Sequence, residues 1–153
     1  MAVDDIHKNK VHRILAHSYS FYLIAFLLGL FFDFLFPVKL FEAYSVIPLG
    51  FIFIILASML IYWAQMTSLR LEKGHVSKET FCHGPYCYTR SPTHWGLFLL
   101  LLGFGFINNA FFIVMFTLIS FLITKLVFIK KQEAVLAHKY GAPYLEYQKT
   151  VRF

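Results

Sequence analysis

Four apolar stretches, broken at only a few polar points, govern what this chain can become. Residues 17–36 carry one acidic or basic side chain, Asp33, near their far end, and residues 44–67 carry none. Each stretch is about 20–24 residues long, which is what a helix needs to cross the hydrocarbon core of a bilayer. From Trp95 to Ile129 the chain is apolar again, and its only polar break before Lys125 is Asn108-Asn109. That pattern predicts a helical hairpin with arms 92–107 and 110–129. The first arm, about 16 residues or about 24 Å, is at the short end for a span. The expected fold is therefore an all-α, multi-pass membrane protein of about four spans, forming a single membrane domain. Residues 1–16 would be a cytoplasmic N-terminal segment with a short helix over 3–16, and residues 17–67 two spans. A cytoplasmic loop at 68–91, the hairpin at 92–129 and a cytoplasmic cofactor-binding tail at 130–153 would follow.

Composition supports this. Hydrophobic residues make up 59% of the 153 and charged residues only 14%, against about 25% charged in soluble domains. A soluble chain of this size has too little interior to hide so much apolar surface. The first apolar run ends in Phe36-Pro37-Val38-Lys39, with no small-residue cleavage site. It reads as an anchor and not as a cleaved signal.

The cations give an orientation. Lys8, Lys10 and Arg13 precede the first run, and Lys39 alone lies between the first two. Arg70, Lys73, Lys78 and Arg90 lie in the 68–91 loop, none at Asn108-Asn109, and the rest follow from Lys125 onward. The positive-inside rule then places both termini and the long loop in the cytoplasm, as in a prokaryotic cytoplasmic membrane protein. The net charge of +6 is mostly this topological signal, and lipid headgroups are its natural neighbours. With no basic stripe on a soluble domain, nucleic acid is not an expected partner. Nothing in the sequence specifies an oligomeric state.

The loop of 68–91 is too long for a simple connector, and such loops are often functional. His75, Cys82, His83, Cys87 and His94 lack the C-x2-C pair of a structural zinc site, so no metal is expected. Two cysteines on a cytoplasmic side argue for free thiols. Gly84-Pro85 signals a turn. Ser91-Pro92 reads as an N-cap followed by proline at the first helical position. A helix would thus begin at the membrane surface, and its free N–H groups suit a carboxylate or phosphate. Arg90 would add a bidentate cation there, although an arginine at a membrane edge also snorkels to headgroups. His94, one turn inside, is either a functional ionisable group or a neutral, hydrogen-bonded interfacial histidine. Trp95 fits an interfacial anchor, as do Tyr62 and Trp63. Glu133 stands alone among lysines. Tyr144 and Tyr147, at i and i+3, form a stripe that normally packs on its own protein or on the membrane surface. The tail from Lys130 is polar and helix-prone up to Gly141-Ala142-Pro143, a helix stop, so Glu133 lies on the continuation of the last apolar run.

Residues 84–96 and the tail together resemble the membrane methyltransferase superfamily of isoprenylcysteine carboxyl methyltransferases and phospholipid N-methyltransferases. The family pattern is G-P-Y-x-x-x-R-H-P-x-Y-x-G, an apolar hairpin, E-E-x-x-L, an aromatic-Gly pair and Y-x-x-Y ahead of V-x-R-F. In register are Gly84-Pro85-Tyr86, Arg90, Pro92 and Gly96; the chain then has Glu133, Leu136, Tyr140-Gly141, Tyr144, Tyr147 and Val151-Arg152-Phe153. The match covers roughly the second half of the chain. Three positions depart from it: Ser91 replaces the histidine after the arginine, His94 the tyrosine and Gln132 the first glutamate.

The resemblance implies S-adenosylmethionine bound at the cytoplasmic face and a lipid or lipidated acceptor entering from the bilayer. The implied cofactor site comprises Gly84, Pro85, Tyr86, Arg90, Ser91, Pro92, His94, Gly96, Gln132, Glu133, Tyr144 and Tyr147, with Arg90, His94 and Glu133 as catalytic candidates. Arg90 and the helix N-terminus could hold the methionine carboxylate, and Glu133 an amine of the cofactor. The tyrosines could box the sulfonium by cation–π contact. A carboxylate acceptor arrives ionised and benefits from Arg90, whereas an amine must lose a proton to a base such as His94 or Glu133. Arg90 tilts the expectation toward an anionic acceptor. Two other classes remain open: a membrane reductase of the sterol type, whose C-terminal region carries a similar R-H-P-x-Y pattern on a longer chain, and a non-catalytic membrane scaffold.

Overall fold

The computed structural model describes residues 2–41, 46–71 and 84–151. Among them the architecture is helical. The first helix, α1 (Ala2–Leu35), is continuous, so the N-terminal segment and the first apolar run are one element and not two. Nothing between residues 2 and 35 breaks a helix: there is no proline, and the change from polar to apolar composition alters the solvent of a helix without ending it. Pro37 does end it, because the residue before a proline is pushed out of the α region. α2 spans Ile47–Leu71, four residues longer at its end than the apolar run of 44–67 and, with the undescribed residues 42–45 set aside, one residue shorter at its start. Then come a 3-10 turn at Gly84–Cys87 and α3 at Pro92–Ile107.

The last long helix starts as α4 (Phe111–Ile123) and widens into a π segment at Thr124–Ile129. It runs on as α5 (Lys130–Tyr140). The hairpin arm and the first part of the expected tail are thus one helix, because lysines mark the membrane edge and not a helix end. At Gly141 the backbone adopts φ 61° and ψ −135°, a conformation open to glycine. A short helix, α6 (Ala142–Thr150), follows with its proline near the N-terminus.

Among the described residues, three helical stretches are long and apolar enough to cross a membrane: Arg13–Leu35, Ile47–Ser68 and Phe111–His138. Pro92–Ile107 is apolar but shorter. The outer and inner faces are distributed as they are in a bilayer protein. Leu23, Phe34, Ile55, Met59, Leu122 and Leu126 are exposed, while Ser18, Ala25, Ala57, Ala64, Thr117, Ser120 and Thr124 are buried. Small and hydroxyl residues inside, with large apolar residues outside, is the arrangement expected when lipid is the solvent. Both observations are consistent with an integral membrane protein. Tyr62 and Trp63 are also exposed near the end of α2, in keeping with interfacial anchors.

The tightest helix contact joins α2 and α3. A Cβ on Gly50 would lie 2.7 Å from the Gly103 carbonyl oxygen, and one on Gly103 would lie 2.7 Å from the Gly50 oxygen. Gly96 continues this seam, since a Cβ there would collide with Ile61. α1 packs on α4, where a Cβ on Gly29 would come within 2.9 Å of the Ile113 Cα.

At one end of the bundle the two connections are tied together. Asn109, with φ 51°, is the turn residue between α3 and α4, as the sequence suggested, and asparagine tolerates that left-handed backbone. Its side chain accepts from the Phe41 N–H at 3.0 Å and donates to the Phe41 carbonyl at 2.7 Å. Beside it, Asp33 caps α4 from the end of α1. One carboxylate oxygen accepts from the Phe112 N–H at 3.0 Å and the other from the Ile113 N–H at 2.8 Å. A carboxylate at a helix N-terminus satisfies orphan donors and complements the helix dipole. The start of α3 and the α5–α6 segment gather at the opposite end.

Candidate functional site

The turn before α3 is seated on the end of α2. Gly84 has φ 55°, and a Cβ there would lie 2.7 Å from Thr67 Oγ1 and 3.0 Å from Trp63 Nε1. Pro85 is buried, and its carbonyl accepts from the Tyr88 and Thr89 N–H groups at 3.2 and 3.1 Å. Ser91 occupies the N-cap position, with its carbonyl accepting from His94 N–H at 3.2 Å. Its hydroxyl, however, makes no capping bond. With φ −139° and ψ 61°, its backbone departs from the extended geometry in which a capping side chain reaches the first turn.

Arg90 and Glu133, far apart in the sequence, meet here. Arg90 Nη1 lies 2.7 Å from Glu133 Oε1, with the side chains 18% and 15% exposed. The other carboxylate oxygen accepts from Gln148 Nε2 at 3.0 Å. One carboxylate of α5 therefore joins the start of α3 to α6. Gln148 was not singled out by the sequence. Its place one residue after Tyr147 was the only hint of it.

Tyr144 and Tyr147 stand behind this pair, 3% and 4% exposed and packed with Val151. Their rings lie 5.8 Å apart, and the Tyr147 hydroxyl donates to the Tyr86 carbonyl at 2.6 Å. Burial pushes the Tyr144 phenol well up, with the Glu133 carboxylate adding to the effect and Arg90 opposing it. Tyr147 is likewise raised, first by burial. Tyr86 is raised by burial too, against interactions with Thr93 and Ser68. These tyrosines are thus held neutral by the fold while their ordinary value is 10.0. Their stabilisation of the tail is complete below pH 10 and is lost as pH climbs from there toward the folded-state values. In detergent, the thermal unfolding midpoint should fall above pH 10, and Tyr147→Phe should blunt that fall. A midpoint that stays flat across this range would exclude the effect.

His94 belongs to a second cluster. It is 2% exposed, and its Nε2 lies 3.0 Å from Ser18 Oγ of α1. The Tyr19 and Tyr22 rings are centred 5.6 and 6.4 Å from the imidazole. Thr93 interacts with both Tyr86 and Tyr19, which links the two clusters. Ser18, Tyr19 and Tyr22 were passed over in the sequence. The signal was there as polar residues on one side of an apolar run, with Ser18, Tyr22, Ala25 and Gly29 at helical spacing.

The other expected site residues are spread more widely. Pro92 is buried at the first turn of α3, and Gly96 faces α2 within the helix seam. Gln132 is half-buried beside Glu133. Trp95 is half-buried and meets Phe121 of α4 with ring centroids 4.7 Å apart, so it joins two helices as well as lying near the helix start. Leu136 packs against the Tyr144–Tyr147 cluster. Arg152, Phe153, His75, Cys82 and His83 lie outside the described residues. Cys87 is disulfide-bonded, which corrects the expectation of free thiols. That expectation rested on compartment alone. Among the described residues, no group of three or more His, Cys, Asp and Glu side chains is arranged to hold a metal ion.

No protein-family model, no curated protein and no solved structure matches this chain.

Proposed function

We propose that the chain is an S-adenosylmethionine-dependent methyltransferase acting on a lipid-soluble acceptor at the cytoplasmic membrane face. In this reading the four apolar helices all span, with both termini inside. The activity is similar to isoprenylcysteine carboxyl methylation, and phospholipid N-methylation is its closest alternative. The observation that carries it is the Arg90–Glu133 pair at 2.7 Å.

The methionine end of S-adenosylmethionine bears a carboxylate and an ammonium on adjacent atoms. A protein site for it needs one cation and one anion side by side, partly shielded from water. Arg90 and Glu133 fit that need. The Arg90 fork suits the carboxylate, and Glu133, held in orientation by Gln148, suits the ammonium. An incoming zwitterion would replace each partner of the ion pair with an equivalent charge. The desolvation of both groups is already met by the fold, so exchange costs less than building the contacts anew. Tyr144 and Tyr147 feel the charges of this pair, Tyr147 is bonded to Tyr86, and ring faces favour a cation.

When bound, the cofactor supplies a methyl group on a cationic sulfur. The residues of this chain hold it, align the acceptor for in-line attack and exclude water. Incubating membranes that contain the protein with methyl-labelled S-adenosylmethionine tests the assignment. Label should enter the lipid-soluble fraction and disappear from it with Arg90→Ala. Base-labile label identifies a methyl ester, and base-stable label identifies N-methylation. Transfer at the level of membranes lacking the protein would reject the proposal.

A further inference from the structure

The hydrogen-bond partners of Ser18 determine which nitrogen of His94 carries the proton. Ser18 has a single O–H. Its Oγ lies 2.8 Å from the Leu15 carbonyl oxygen in its own helix, and a carbonyl can only accept. The serine proton therefore points to Leu15. The same Oγ lies 3.0 Å from His94 Nε2, so it faces the imidazole with a lone pair. This arrangement points to Nε2 as the protonated nitrogen of the neutral ring and to Nδ1 as the bare acceptor. The contact is buried, with Ser18 0% and His94 2% exposed, so water does not compete for it. His94 lies in the first turn of α3, and the adjacent Thr93 connects it to Tyr86 in the Arg90–Glu133 cluster.

We propose that Ser18 is a positioning residue that locks His94 in the Nε2–H tautomer, so that Nδ1 takes the proton of a methyl acceptor bearing an N–H or O–H group. The role toward a methyl acceptor rests on the methyl-transfer reading above, in its alternative form with an amine-type acceptor in place of a carboxylate; the tautomer lock does not. In the transfer step the acceptor heteroatom forms its bond to the methyl carbon, and the carbon–sulfur bond breaks with its electron pair going to sulfur. The acceptor's proton goes to Nδ1. A carboxylate acceptor has no proton to give and would set its lone pairs against that of Nδ1. The cation that tilted the sequence toward an anionic acceptor, Arg90, is engaged by Glu133.

The test is nitrogen NMR of the full chain, labelled at histidine and held in lipid nanodiscs. His94→Gln identifies the resonances that belong to His94. The wild type should show a protonated Nε2 and an unprotonated Nδ1. Ser18→Ala should turn this into a mixture of tautomers, and Ser18→Thr should restore the single form. A wild-type ring protonated at Nδ1 overturns the lock even if no serine variant folds, and so does a Ser18→Ala spectrum identical to wild type. The acceptor role is read from His94→Gln, whose amide still reaches Ser18 but cannot take a proton. It should lower methyl transfer by about 100-fold or more, and transfer at the wild-type rate overturns the role. Ser18→Ala should bind S-adenosylmethionine as tightly as wild type. If the wild type itself binds none, the methyl-transfer reading and the acceptor role both fall, while the tautomer is still decided by the spectrum.

Discussion

Glu133→Ala should weaken S-adenosylmethionine binding by about 30- to 150-fold, equivalent to about 2–3 kcal/mol. The magnitude follows from the environment of the ion pair. Losing one partner of a buried, hydrogen-bonded charge pair typically costs about 2–5 kcal/mol. The two side chains are still 18% and 15% exposed, and solvent screening keeps the loss at the lower end. Arg90→Ala should have a similar effect, because each variant removes the group facing one charge of the zwitterion. Glu133→Gln separates charge from geometry. It keeps a hydrogen-bonding partner near Gln148 while losing the anion, and so should fall between wild type and alanine. Gln148→Ala removes only an orienting bond and should weaken binding by about tenfold or less. Equilibrium binding in detergent measures all four. If Glu133→Ala binds the cofactor as tightly as the wild type, the pair is structural and the cofactor assignment fails.

Gly103→Leu should prevent α2 and α3 from packing and remove the folded protein altogether. At this position even a Cβ would stand 2.7 Å from the Gly50 carbonyl oxygen and 2.9 Å from Ile54 Cγ1. A flexible side-chain tip can move aside, but a backbone carbonyl on a neighbouring helix moves only if the helices separate. Gly103→Ala, the mildest change, should cost about 1–3 kcal/mol, the usual range for overpacking. Gly50→Ala should match it, since its Cβ meets the Gly103 oxygen at the same 2.7 Å. Leu126→Ala is the control. That side chain is 60% exposed on the outer face and should change stability by less than about 0.5 kcal/mol. Unfolding in mixed micelles gives the order. A Gly103→Leu protein that remains monodisperse and unfolds like wild type would show that the seam is looser than its geometry. α3 carries Arg90 just ahead of its first turn, so cofactor binding should be lost together with the seam.

These features differ in how well they could be read from the sequence. The apolar runs and the Asn108-Asn109 turn were legible because a bilayer admits few unsatisfied polar groups, so a polar pair between two apolar arms marks a bend. The continuity of α1 was not legible: the polar residues 2–16 change the solvent and not the backbone. The run of the last helix to Tyr140 was legible, because the residues after Lys130 are helix-prone until Gly141-Ala142-Pro143 stops them. Arg90 and Glu133 could be named from spacing and resemblance, but their meeting depends on how the hairpin folds back, which no local pattern encodes. Gln148 and Ser18 were missed because each is an ordinary polar residue until its distant partner is in place. Ser91 shows the opposite case, in which the residue type permits a cap and the backbone angles decline it.

Asp33 has a consequence for how the protein is made. Its carboxylate is held by two N–H groups of α4, yet it leaves the ribosome with the first helix, and α4 follows almost eighty residues later. Until α4 emerges, that anion must wait near the water boundary, which anchors the end of the newborn first helix at the membrane surface. Closure of the bundle is therefore a late event in synthesis: the earliest helix cannot settle until the last apolar one arrives to receive it.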